Sequence, residues 1–116
     1  MPMNASDIHN PDDPALNLDK DGYLRELSDW NENVAAQLAA AASIELTPAH
    51  WEVIYLLRKF YAEHTLSLSM RPLVKLVARD LGPDKGRSIY LLKLFPGNPA
   101  LLASKIAGLP RPENCL

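Results

Sequence analysis

The sequence has a single cysteine in 116 residues, and it is Cys115. One thiol cannot close an internal disulfide, which points to a reducing, cytoplasmic setting. No apolar run approaches the ~20 residues that a membrane span needs. The opening residues, with their Asp and Pro, lack the pattern of a secretion signal. His9, His50 and His64 stand far apart without ligand spacing, so neither a metal nor any other cofactor is expected. No Ser–His–Asp or Cys–His pair can be assembled from neighbouring positions, so the sequence offers no local acid–base site. Hydrophobic residues make up 47% of the chain, enough for one domain, residues 1–116, with a small core.

A formal net charge of −2 conceals a division. Residues 1–70 carry 4 Lys/Arg against 11 Asp/Glu, whereas residues 71–116 carry 8 against 3. The basic half holds the cysteine. Arg71, Lys75, Lys85, Arg87 and Arg111 are therefore candidates for docking an acidic partner or an anion, nucleic acid included. A plain solvated surface is the other reading of the same charges.

Taken in order, the chain is expected to be mainly α, or α+β if an N-terminal hairpin forms. Residues 1–18 are rich in Asn, Asp and Pro. Ala15–Leu18 and Tyr23–Leu24 flank an Asp21–Gly22 turn signal and could pair as that hairpin. A first helix should start near Asn31 or Glu32 and run through Ala39–Ala42, with Val34, Leu38 and Ala41 on its apolar face and Trp30 packed just outside. Thr47–Pro48 marks the start of a second, running to about His64. That helix is apolar around most of its circumference and reads as the central one, its aromatics as core and its histidines as structural. Two shorter helices, about 70–81 and 86–95, follow around a Gly-containing turn. With Arg71, Lys75 and Arg79 in one stripe they resemble a helix-turn-helix, so a redox-sensing DNA regulator is a second reading. Asn98–Pro99 starts a last helix, to about Ala107, packed through Leu102 and Ile106.

Beyond that helix, Gly108 suits a left-handed helix end, and Pro110 and Pro112 each remove a donor and oppose helix. The remaining segment reads as a mobile arm, 109–116, whose thiol could stand roughly 23 Å beyond Gly108 if fully extended. Glu113 and the carboxylate of Leu116 oppose ionisation of that thiol, Arg111 favours it, and access is good.

Lys105 to Pro112, followed by a penultimate cysteine, resembles the C-terminus of the DsrC/TusE family of sulfur-carrier proteins. The resemblance continues through Pro48–Val53, Leu73–Lys75, Lys85–Gly86, Leu94–Pro96, Asp21–Leu24 and Trp30, spanning about residues 19–116. It implies an N-terminal β-hairpin and a sulfurtransferase role in which Cys115 carries persulfide sulfur. It also implies how the branches divide. DsrC proteins serving dissimilatory sulfite reductase have a second cysteine eleven residues before the penultimate one, and here that residue is Ser104. The chain is thus closest to the single-cysteine TusE branch. The partners implied are a TusBCD-type sulfur donor complex and an MnmA-type thiouridylase acting on tRNA, with sulfite reductase as the alternative.

Overall fold

The computed structural model describes residues 16–113. Cys115, His9 and the greater part of the N-terminal segment lie outside them. Five helices follow a short 3₁₀ turn, Leu27–Asp29: α1 Glu32–Ala41, α2 Pro48–His64, α3 Met70–Leu81, α4 Ser88–Leu94 and α5 Pro99–Ile106. The fold is mainly α.

The expected hairpin contracts to one antiparallel bridge, Leu18 to Leu24, and no strand forms among the described residues. Asp19 explains the stop. Its carboxylate accepts the amides of Tyr23 and Asp21, tying the turn to itself rather than to a ladder. Those bonds, Tyr23's first, hold the Asp19 carboxyl below its ordinary 3.8. A depressed carboxyl adds stability above its unfolded value, lost as pH falls through the folded one. Asp19→Asn should therefore flatten the part of acid unfolding that lies below about pH 4. Identical acid-melting curves for the two proteins would show that the turn is not coupled to the fold.

Helix starts follow the sequence closely. The Asn31 and Asn98 side chains accept from the Val34 and Leu101 amides at 2.9 and 3.2 Å. Pro72 causes no break, because α3 begins at Met70 and places it in the first turn, where amides have no helical partner. At α2 the Thr47 amide donates to His50 Nδ1 at 3.0 Å, and the Thr47 hydroxyl lies 2.8 Å from the same nitrogen. Nδ1 thus accepts, and Nε2–H donates to the Leu94 carbonyl at 2.8 Å. His50, buried edge-on against Phe95, joins the start of α2 to the end of α4 and is structural.

The central helix is α5, not α2. It packs against each of α1, α2, α3 and α4. Ala100, Ala103, Ser104, Ile106 and Ala107 are buried on it, and the small ones let neighbouring backbones approach. α2 buries Val53, Ile54, Leu56 and Leu57, but Trp51, Phe60 and Tyr61 are only half-buried at the core's margin and Tyr55 is exposed. On α1 the buried set is Val34, Ala35, Leu38 and Ala39, while Ala41 faces solvent. Among the described residues no helix is long and apolar enough to cross a membrane.

Candidate functional site

The end of α5 launches the arm, and its backbone accounting is complete. A short helix ending inside a protein leaves its last carbonyls without helical donors. Here the Gly108 amide donates to Lys105 O and the Leu109 amide to Ser104 O, at 3.1 and 3.0 Å, with Gly108 at φ +73°. That is a Schellman end, sealed by Leu109, which is 2% exposed. Two side chains from distant elements take the next carbonyls. Trp30 Nε1 donates to Ile106 O at 2.9 Å, and Arg58 Nη1 donates to Ala107 O at 2.7 Å. The Arg58 guanidinium also lies over the Trp30 ring, 3.9 Å from its centroid. Its charge faces the negative end of α5, while burial pushes the guanidinium below its ordinary range.

Gly108 is held from the other side. A Cβ there would stand 2.4 Å from Trp30 Cδ1, so the ring occupies the space that any side chain needs. Nothing in the local sequence links Trp30 or Arg58 to this helix end. The sequence placed Trp30 just outside the apolar face of α1, not against the end of α5.

The arm's first residues lie against the body. Ser67 Oγ donates to the Pro110 carbonyl at 2.6 Å, Pro112 is buried, and the Arg111 guanidinium is 3.6 Å from the Asp21 carboxylate. This shortens the tether expected from sequence. Cys115 follows Pro112 by three residues, so its Cα can lie at most about 11 Å from that of Pro112. Beside this seat runs an open groove of about 350 Å³, whose polar lining includes Asp21, Asn98, Lys105 and Arg111.

The structure disperses the other candidates. Arg71, Lys75 and Arg87 are exposed, with no ion pair to a described residue. Lys85 is engaged by Glu52 at 2.8 Å, a bond that raises its ammonium above 10.5, and is withdrawn from the free basic set. Arg111 sits at the arm. Of the helix-turn-helix pair, α4 has seven residues and, beside Ser88 and Lys93, exposes the apolar Ile89 and Leu92.

Position 104 has a different environment from the one its alignment with a reactive cysteine suggests. Ser104 is wholly buried, and its Oγ is the one buried side-chain polar atom without a hydrogen bond among the described residues. An orphaned hydroxyl costs roughly 1–3 kcal/mol. Ser104→Ala should accordingly leave the melting temperature unchanged or raise it, and Ser104→Cys should also be tolerated, sulfur being at ease in an apolar site. Because residues 110–112 lie back on the body, mild oxidation should link positions 104 and 115 within the Ser104→Cys chain, whereas the unaltered chain gives only intermolecular products. Two free thiols in that variant, under conditions that dimerise the unaltered protein, would show Cys115 held away from α5.

The fold is a small helical body whose central helix ends in a seated arm root, with the chain's single cysteine three residues beyond Pro112 in sequence. The chain matches the model of the DsrC-like protein family over residues 11–116 and belongs to that family. The match reaches back beyond residue 19, into the Pro-rich start. The chain is 56% identical over 101 residues to a sulfurtransferase TusE homologue of Haemophilus influenzae, covering 87% of this chain and 93% of that one. To the sulfurtransferase TusE of Salmonella typhimurium it is 46% identical, at 87% and 93% coverage. Among solved structures it resembles DsrC of Allochromatium vinosum, with TM-score 0.79 and 43% identity over 85% of this chain and 88% of that one. The oxidized γ-subunit of dissimilatory sulfite reductase (DsrC) from Archaeoglobus fulgidus follows with 0.75 and 40%, over 87% and 92%. A sulfur-relay role and a place in the single-cysteine TusE branch fit these relationships.

Proposed function

We propose that the protein is a persulfide carrier in which Cys115 takes sulfur from a TusBCD-type donor and passes it to an MnmA-type thiouridylase, toward 2-thiolation of tRNA wobble uridine. The observation that carries this reading is the seat of the arm: a helix end satisfied at every carbonyl from Ala103 to Ala107 leads directly to the chain's one thiol. The Cys115 thiolate attacks the outer sulfur of a donor persulfide. A new S–S bond forms at Cys115, the donor's own S–S bond breaks, and the donor leaves as a thiolate. Neither an oxidant nor a reductant is consumed, and the attack on the next acceptor repeats the same exchange. Such a step needs a thiolate and access, not a general acid or base in the carrier. Ser104 argues for this branch over service to sulfite reductase, since a serine cannot join the internal link of a two-cysteine cycle.

Intact-mass measurement after incubation with a persulfide-loaded TusBCD-type complex tests the proposal. One added sulfur, removed by reductant and absent after Cys115 is alkylated, is the expected result. An unchanged mass with an active donor would overturn it.

A further inference from the structure

A second groove, of about 300 Å³, lies where the start of α3 meets α4 and the start of α5. Met70, Leu92, Pro99 and Ala100 provide its apolar lining. Leu92 is 42% exposed and Ile89, one turn earlier on the same side of α4, is 60% exposed. A small helical body has apolar side chains enough to cover such a place, yet these two stand in solvent, and exposed apolar patches of this kind mark interaction sites. The charged residues next in sequence to this lining are of one sign. Arg71 adjoins Met70, Arg87 adjoins the lining residue Ser88, and Lys93 adjoins Leu92; all three are exposed and none has an ion pair with a described residue.

We infer that this groove is the docking site for an acidic segment of a sulfur-relay partner protein that inserts a bulky apolar side chain between α3 and α4. The inference rests on the carrier reading above and specifies how a partner holds the carrier. Charge complementarity selects the occupant: the apolar lining and the exposed cations beside it in sequence together match an amphipathic acidic segment, whereas a nucleic-acid backbone would leave Leu92 and Ile89 uncovered. Placement supports it too. Asn98 lines both this groove and the one beside Arg111, so a partner seated here borders the root of the arm. Docking and sulfur transfer then use adjacent surfaces with separate residues.

The test measures transfer of labelled sulfur from a loaded TusBCD-type complex to the full-length protein, with Ile89→Ala/Leu92→Ala, Arg71→Glu/Arg87→Glu and Cys115→Ser compared with the unaltered chain. The apolar pair should raise KM for the complex about tenfold, the usual cost of truncating anchors at an interface. That rise should persist at high salt. The charge pair should give a similar rise at low salt that fades as salt is added. Loading of Cys115 by a small-molecule persulfide should be unchanged in both. If Cys115→Ser abolishes transfer while both pairs transfer with unaltered KM, the groove is not the docking site although the carrier reading stands. If Cys115→Ser still transfers, the carrier reading itself falls. Salt-sensitive binding of tRNA lost in the charge pair alone, or a concentration-dependent dimer in sedimentation lost in the apolar pair, with donor KM unmoved in either case, would assign the face to nucleic acid or to a second copy and overturn the inference.

Discussion

Cys115→Ser is expected to abolish sulfur transfer altogether while leaving thermal unfolding within about 2–4 °C of the unaltered protein, the range of substitutions away from packed or bonded features. A hydroxyl cannot form or hold a persulfide at neutral pH. The stability half of the expectation rests on the contacts of the described arm residues. Leu109, Pro110 and Pro112 make the buried or hydrogen-bonded contacts of the arm, and the exposed Glu113 comes after them. Sulfur transfer at the normal rate in the variant would eliminate Cys115 as the carrier group. A large drop in melting temperature would place the cysteine in the packed body. Measuring both on one preparation separates loss of chemistry from loss of fold.

Gly108→Ala is expected to cause the largest loss of stability of any single-methyl change near the site. Two terms add. A left-handed conformation costs a non-glycine residue about 1–2 kcal/mol, and forcing a methyl into filled space costs about 1–3 kcal/mol more. For a domain of this size the sum corresponds to a fall in melting temperature on the order of 10–20 °C. The crowded atom belongs to Trp30, whose indole also bonds Ile106 O and carries Arg58 over its face. Displacing the ring therefore frees two carbonyls at the start of the arm, and transfer from the protein donor should fall even at temperatures where the body is folded. Thermal unfolding and donor transfer should be measured for Gly108→Ala, Trp30→Ala and the double variant. The double variant should lose less than the sum of the singles, because removing the ring removes the clash. Strict additivity, or a Gly108→Ala protein melting within about 3 °C of the unaltered one, would contradict the close approach.

Helix boundaries were legible from local chemistry. Asn31, Thr47 and Asn98 are caps whose effect is confined to the next three or four residues, and Pro48 and Pro99 suit first-turn positions whatever the rest of the chain does. The mainly α class, the cysteine-bearing tail and the family motifs were readable for the same reason: each is a property of neighbours in the chain. The hairpin was overread because a turn signal says where the chain reverses, not whether a ladder follows, and Asp19 spends its bonds on the turn.

Tertiary structure decided which helix is central. The sequence pattern favours α2 because apolar side chains surround most of its circumference, whereas the centre of a bundle needs small residues where several backbones converge, as at Ala100, Ala103 and Ser104. It decided as well which charges remain available: Lys85 reaches Glu52 across 33 positions of sequence, a pairing no local pattern reports, and Arg71 and Arg87 form no ion pair with a described residue. Most of all it decided how the arm begins. Trp30 and Arg58 lie 76 and 49 positions from the carbonyls they satisfy. Hydrogen bonds of that span exist only once the helices have packed, so nothing in the neighbourhoods of Trp30 and Arg58 marks them as partners of the last carbonyls of α5.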